Sequence, residues 1–311
     1  MRLLAIVGPT ATGKTPLAVA VAERIGAAEL LNADSRQVLR GLHVATCAPT
    51  AEDLRGIPAH LFALHDPGAA FSVAEWLDAA RGALAGAAHR GAQPILVGGT
   101  GLHVSALVDG LDLARVPPDP ERRSERNAAA ATPEGLRGLA AELASRDPDA
   151  AATVDLRNPR RVVRALEILD ARDVPLHRAR GRTSPVPTTL IGLDAPRALH
   201  DALIAERARA MLETGALLEE VHSALGRGVT RGALSTAGIG YREALAVIDG
   251  QVTSEQAATL IAQRTRRYAK AQRTWFRRDR RIRWLERDEG PVEPLVDEVL
   301  DAFREDARAG Q

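Results

Sequence analysis

Short, unbroken apolar runs alternate along the chain with longer stretches whose apolar positions recur every three or four residues. Leu3 to Val7, Ala28 to Ala33, Pro94 to Val97 and Thr188 to Leu193 are runs of the first kind and predict buried strands. Behind the first run, Leu17, Ala18, Val21, Ala22 and Ile25 keep helical spacing. Phe71 to Trp76 predicts a helix start: Ser72 is the N-cap, Glu75 completes a capping box, and Phe71 is placed to staple onto Trp76. That helix is expected to run to about Ala88. A strand followed by a helix, three times over, predicts a parallel sheet with right-handed crossovers. Residues 36 to 70 break into short pieces at Gly41, Pro49, Pro58 and Pro67. His43, His60 and His65 within them show no metal-ligand spacing and read as surface or loop histidines.

The pattern changes at about Arg115. Val116-Pro117-Pro118-Asp119-Pro120 predicts a stiff linker. Beyond it, Leu136, Leu139 and Leu143 mark one helical face, and Val162, Val163, Leu166, Ile168 and Leu169 another, until Pro185 and Pro187 close the segment. This predicts a helical insertion, 115–187, between a first core part, 1–114, and a core-completing part with basic helices, 188–311. After Pro196 one long helix is expected to about Leu225. A turn at Gly238 to Glu243 leads into another. Thr253 to Gln256 repeats the capping-box pattern before a helix to about Arg277. Leu295, Val296 and Val299 predict a modest terminal helix.

Composition narrows the class. The 311 residues are 45% hydrophobic and 26% charged, ordinary for a globular protein. Aromatic residues make up only 3%, so aliphatic side chains must fill the core. A net charge of +1 means that any affinity for a polyanion has to come from local patches. Cys47 is the only cysteine, which excludes an internal disulfide and suits a reducing cytoplasm. No apolar run reaches membrane-spanning length, and the first strand begins at once with no leader ahead of it. A cytoplasmic monomer is expected.

The chemistry concentrates where the first strand ends. Gly8-Pro9-Thr10-Ala11-Thr12-Gly13-Lys14-Thr15 reads G-x-x-x-x-G-K-T between a strand and a helix, the context that makes a phosphate-cradling loop believable. Its glycines let amide groups turn inward, Lys14 meets the far phosphates, and the Thr15 hydroxyl suits Mg2+. The chain has 41 Lys plus Arg, yet only Lys14 and Lys270 are lysine, so a lysine kept at this position is informative. The fold class expected is α/β: a P-loop NTPase-like parallel sheet core with a helical insertion and a helical C-terminal part. Asp34 lies beyond the second strand and Thr100 in Gly98-Gly99-Thr100-Gly101 beyond the third, on the rim where such sheets gather functional groups. Asp34 suits a general base, a Mg2+ partner or a helix cap, and the residues alone leave these open. Arg160, Arg161 and Arg164 fall on adjacent helical turns and fit a solvated face, a lid or a nucleic-acid contact. Between Arg264 and Arg283 there are ten Arg or Lys and one acid, Asp279, with Tyr268, Trp275 and Phe276 interleaved. That is the footprint of a nucleic-acid backbone and stacked bases.

Seven stretches taken together resemble one family, the tRNA dimethylallyltransferases or isopentenyltransferases. They are GPTATGKT at 8–15, NADSRQV at 32–38, RGL at 40–42, VGGTGL at 97–102, NPRRVVRALEI at 158–168, GIGYRE at 238–243 and YAKAQRTWFR at 268–277. The resemblance implies transfer of a dimethylallyl group from dimethylallyl diphosphate to the exocyclic amine of the adenosine 3′ of the tRNA anticodon. It implies Asp34 as general base, Thr100 near the reacting centre and Arg207 on the diphosphate. Gly8 to Thr15 would hold the diphosphate with Mg2+. Asp34, Ser35, Arg36, Gln37, Asn158, Arg160, Arg161, Arg164, Lys270, Gln272 and Arg273 are placed by it on the tRNA anticodon stem-loop. The chain departs from the family pattern at Leu39, His43, Ala45, Ala48, His103, Leu203 and Ala271. The residues by themselves also admit an ATP-using phosphotransferase, a prenyltransferase of free adenine nucleotides, or an RNA-binding protein without activity.

Overall fold

The computed structural model describes residues 2–111, 116, 119–172, 176 and 185–309. The chain divides into two compact units, Met1–Val108 with Val186–Gln311, and Asp109–Pro185. The insertion therefore begins earlier than the sequence suggests. Val186 N–H donates to Val108 O at 3.0 Å, which closes the first unit on itself at the point where the chain departs and returns. Val116, taken as part of a linker, is buried in the core of the second unit. Pro117 and Pro118 lie outside the described residues.

The first unit is built on a six-stranded sheet. In chain order its strands are β1 (Leu3–Val7), β2 (Ala28–Asn32), β3 (Ala59–His60), β4 (Gln93–Gly98), β5 (Thr188–Asp194) and β6 (Arg283–Glu286), and they lie in the order β3-β2-β4-β1-β5-β6. All pairs are parallel, with Ile6 of β1 opposite Val97 of β4 and Ile191 of β5. A parallel sheet covered on both faces needs strands that are apolar throughout, and β1 is buried at every position. Two strands escaped the reading. β3 has two residues, and β6 mixes charge with apolar residues because it is an edge, half of it facing water.

On one face of the sheet, α1 (Lys14–Ile25) and α13 (Val296–Ala309) bury Leu17, Val21, Val299 and Leu300 against Leu4, Ile6 and Ile191. Helix α2 (Val73–His89) carries the expected capping box, and α3 (Gly101–Val108) follows β4. The staple onto Trp76 does not form. Trp76 is fully buried, stacks on His103 at 4.2 Å and donates to Asn32 O, while Phe71 stacks on His65 at 4.5 Å.

A second, helical core in the same unit surrounds the buried ring of Tyr241. It is built from α8 (Arg197–Glu213), α9 (Ala216–Gly226), α10 (Arg231–Ala237), α11 (Tyr241–Ile248) and α12 (Ser254–Phe276). The single helix expected after Pro196 is two. Gly215 takes a left-handed φ of 72°, which only a residue without Cβ adopts freely, and α8 stops there. Helix α12 starts at the predicted capping box on Thr253 and Gln256.

The second unit is helical, as expected: α4 (Pro120–Ala129), α5 (Pro133–Arg146), α6 (Pro148–Thr153) and α7 (Pro159–Arg172). Each of the first three opens with proline in its first turn behind an Asp119, Thr132 or Asp147 cap. Leu143, Val162, Leu166, Ile168 and Leu169 form its core. Asp170 ties Arg126 and Arg146 together at 2.6 and 2.7 Å. Among the described residues no helix is long and apolar enough to cross a membrane.

Candidate functional site

β1 delivers the chain to the phosphate loop at the carboxyl edge of the sheet. Gly8, at φ 140°, lies so close to β5 that a Cβ there would sit 2.3 Å from Leu193 O. Gly13, at φ 91°, opens α1, whose first turn carries no acid, so its N-terminal partial charge is uncompensated. Between them Thr12 Oγ1 donates to Pro9 O at 2.9 Å and Lys14 Nζ donates to the same oxygen at 2.6 Å. Burial lowers the Lys14 ammonium to a pKa of about 8; Asp34 opposes the shift and Arg207 adds to it. A lysine so desolvated is poised for an anion.

Asp34 stands where β2 ends. Asn32 Oδ1 accepts from Asp34 N at 2.9 Å, and Asn32 Nδ2 donates to Asp34 O and Leu61 O, both at 3.1 Å. Asp34 Oδ1 in turn accepts from Arg36 N at 2.8 Å, so it closes a turn, not a helix. The neighbouring rim loop is fastened to it. Thr100 Oγ1 accepts from Ser35 N at 2.9 Å, Thr100 N donates to Ala33 O at 3.0 Å, and a Cβ on Gly98 would meet Ala33 C at 2.3 Å.

A cavity of about 500 Å³ opens above the loop, with Lys14, Thr15, Asp34, Gln37, Cys47 and Arg207 on its wall. A smaller recess of about 220 Å³ adjoins it and shares Thr10, Asp34, Cys47 and Arg207. Ile204, Met211, Ile239, Ile261 and Tyr268 are among its other lining residues, with Arg36 and Arg264. Arg207, which α8 (Arg197–Glu213) carries, donates to Thr10 Oγ1 at 3.3 Å. Burial and the Asp34 charge push the Tyr268 phenol up to about 12, while a hydrogen bond to Thr100 pulls the other way.

The structure thus gathers Lys14, Thr15, Asp34 and Arg207 around one space. Thr100 stands behind Asp34: its hydroxyl is engaged by Ser35 and Tyr268 and braces the Asp34 turn. Arg36 Nη1 donates to Thr236 O at 2.9 Å, and Gln37 Nε2 to Cys47 O at 2.8 Å, so both hold loops together at the mouth.

Two residues of α12 expected on the tRNA are engaged inside the protein. Gln272 is buried: its Oε1 accepts from Thr10 N at 2.8 Å and its Nε2 donates to Gly99 O at 2.9 Å. Arg273 lies fork to fork on Asp194, with both bonds at 2.7 Å. Its Nη2 also reaches His200 Nδ1 at 2.9 Å, and His200 Nε2 meets Thr10 O at 2.8 Å. A guanidinium only donates, so Nδ1 accepts and Nε2 carries the proton: the imidazole is neutral, as its lowered pKa through burial requires. His200 and Asp194 left no mark in the sequence that would have singled them out.

The basic stripe is also less bare than it reads. Asp194, Asp201, Glu243, Asp279, Glu305 and Asp306 pair with Arg264, Arg266, Arg273, Arg277, Arg281 and Arg283. Arg267, Lys270, Arg278 and Arg280 are exposed and carry no ion pair among the described residues. In the second unit Asn158 caps α7 through its Oδ1, which accepts from Arg161 N at 3.3 Å. Arg164 is held by Glu167 at 3.1 Å and Val116 O at 3.0 Å, while Arg160 and Arg161 are exposed.

The family model described as IPP transferase matches residues 37–279, and that described as isopentenyl transferase matches residues 1–61. A tRNA dimethylallyltransferase of Roseiflexus sp. (strain RS-1) is 41% identical over 89% of this chain and 90% of its own. One of Mycobacterium avium (strain 104) is 39% identical over 97% of this chain and 99% of its own. The crystal structure of a tRNA isopentenylpyrophosphate transferase from Bacillus halodurans superposes with a TM-score of 0.71 at 35% identity, covering 99% of both chains. A eukaryotic dimethylallyltransferase acting on tRNA shares the fold with a TM-score of 0.78. Its relatives match it along nearly its whole length, and the family model covers most of it: the chain belongs to the IPP transferase family.

Proposed function

We propose that the protein transfers the dimethylallyl group of dimethylallyl diphosphate to the exocyclic amine of the adenosine 3′ of the tRNA anticodon, releasing diphosphate. One observation carries this reading: Asp34 borders both the cationic cavity of Lys14 and Arg207 and the half-apolar recess beside it. The diphosphate sits in the cavity and the acceptor amine comes to Asp34 from the recess. As the nitrogen–carbon bond forms, the carbon–oxygen bond to diphosphate breaks and Asp34 accepts the amine proton. Charge gathering on the departing diphosphate is met by Lys14, Arg207 and the loop amides, already in place before reaction. Thr100 and Tyr268 keep Asp34 aimed.

Mg2+ fits the site in a limited way. Among the described residues no group of three or more His, Cys, Asp or Glu side chains could hold a metal by itself. Mg2+ commonly relies on substrate phosphates and water with one or two protein ligands, and the Thr15 hydroxyl on the cavity wall would be the ligand from this chain. When bound it would supply further positive charge to the diphosphate.

The acceptor must leave its base stack to reach Asp34, as in enzymes that flip their target base. The exposed cations Arg267 and Lys270 of α12, and Arg278 and Arg280 just beyond it, would meet phosphates of the anticodon stem-loop, and Arg160 and Arg161 are proposed as further RNA contacts on the second unit by itself. Those free cations favour tRNA over a free nucleotide acceptor and over ATP-driven phosphotransfer, neither of which has a use for them. The test is a transfer assay with dimethylallyl diphosphate, Mg2+ and unmodified tRNA, with AMP and ATP as parallel acceptors. Mass spectrometry of nucleoside digests should show isopentenyl-adenosine from tRNA. Product from AMP or ATP alone would replace the tRNA reading with nucleotide prenylation, and no product from any acceptor would remove the activity.

A further inference from the structure

We infer that Gln272 and His200 are positioning residues of the donor site, which grip Thr10 from two sides and hold the phosphate loop in its cradle shape. The inference deepens the reading of that loop as the diphosphate seat and rests on it. The Thr10 amide donates to Gln272 Oε1 and its carbonyl accepts from His200 Nε2, each at 2.8 Å. Both grips are themselves fixed. Gln272 cannot flip its amide, because Nε2 donates to Gly99 O, and its approach needs the bare glycine: a Cβ on Gly99 would lie 2.1 Å from Nε2. His200 cannot change tautomer while Arg273, anchored on Asp194, donates to Nδ1. Neither residue stands on the wall of the donor cavity or the recess, so their reach to the donor runs through Thr10; Gln272 also hydrogen-bonds Tyr268, which lines the recess.

Two features of the loop show what the grip is for. The residue after Thr10 is Ala11, at φ 65°, a left-handed conformation that a residue with Cβ adopts only when its surroundings impose it. With both peptide groups of Thr10 committed outward to Gln272 and His200, the chain turns at Ala11 toward Lys14. The Thr10 hydroxyl also receives Arg207, so the same residue aims the arginine that faces the diphosphate. Helix α12 thus supports the donor loop with its buried face.

The experiment measures pyrophosphate affinity by calorimetry in the presence of Mg2+, together with donor and tRNA KM, for Gln272→Met. This variant keeps the side-chain length and removes the amide. Pyrophosphate affinity should fall about ten- to a hundredfold and donor KM should rise in step, while tRNA KM stays within about twofold. Adding Ala11→Gly, which makes the left-handed turn free of steric cost, should recover part of the lost pyrophosphate affinity. Unchanged pyrophosphate affinity with weakened tRNA binding would overturn the inference and return Gln272 to an RNA role. So would a double variant that recovers nothing. Should Gln272→Met fail to fold, His200→Leu releases Thr10 from the other side and carries the same expectations. A native protein that binds pyrophosphate yet transfers nothing to tRNA would refute the proposed function without touching this inference.

Discussion

Trp275 of α12 lies edge-on against Gly101, at the start of α3, so closely that a Cβ on Gly101 would sit 2.2 Å from both Cδ1 and Nε1 of the indole. With Gly99 under Gln272, this explains why a Gly-rich turn follows β4: two of its glycines are seats for side chains of one helix. Gly101→Ala would gain about 1 kcal/mol of helix propensity but overpack the contact at a cost of about 1–3 kcal/mol. Trp275 is 37% exposed, so its indole gives way toward solvent and the contact with α3 is lost. We expect a lower Tm and a shifted indole emission, measured by thermal unfolding and fluorescence.

Asp34→Asn should abolish transfer while preserving the loop. Asn keeps the Oδ1 that accepts from Arg36 N, so the turn survives, but it takes no proton. We expect kcat to fall by about 10²- to 10⁴-fold and tRNA Kd to stay within about threefold. A parallel loss of tRNA affinity, measured by filter binding, would contradict the role given to Asp34.

The desolvated Lys14 ammonium costs the fold stability. Its proton is bound more weakly in the folded protein, near pH 8, than in the unfolded chain, near 10.5. Between those values the unfolded state holds more protons, so stability rises with pH across that window and is lowest below pH 8. The gap of 2.5 units corresponds to about 3 kcal/mol at neutral pH. Lys14→Met should therefore raise the Tm of the ligand-free protein, since Pro9 O keeps its bond from Thr12. It should also erase both transfer and the stabilisation that pyrophosphate gives the native protein.

His103 is buried with Nδ1 unpartnered, and burial lowers its pKa to about 4 from 6.5. The unfolded chain takes up this proton first as pH falls, so stability is full above pH 6.5 and declines toward pH 4. His103→Phe keeps the stack on Trp76 and removes the orphaned nitrogen. It should stabilise the protein by about 1–3 kcal/mol and flatten this acid limb, as denaturant titrations at pH 5 and pH 8 would show.

The exposed, unpaired cations on α12 and in the turn after it should contribute to the salt response, beside Arg160 and Arg161. Alanine at Arg267, Lys270, Arg278 or Arg280 should each reduce the slope of log Kd for tRNA against log salt by about one. Arg273→Ala should leave that slope unchanged and instead destabilise the fold, because it leaves Asp194, whose carboxyl the guanidinium holds below the usual range against the opposing effect of burial, with only the Ala195 amide and a longer contact to Arg277 at 3.4 Å.

The sequence by itself determined four of the six strands, the phosphate loop and the rim residues Asp34 and Thr100. These follow from short-range causes: apolar runs that must be buried, glycines where the backbone turns left-handed, and capping boxes at Ser72 and Thr253 that recur in the structure as predicted. Family motifs added the acceptor and the donor. Tertiary structure alone decided which charges remain free. Asp194 neutralises Arg273 from 79 positions away, and Gln272 reaches Thr10 across 262, although it sits in a stretch that reads as RNA-binding. No local pattern encodes such pairings. A flexible charged or amide side chain takes the partner that folding brings within hydrogen-bond reach, and the separation along the chain has no bearing on that distance.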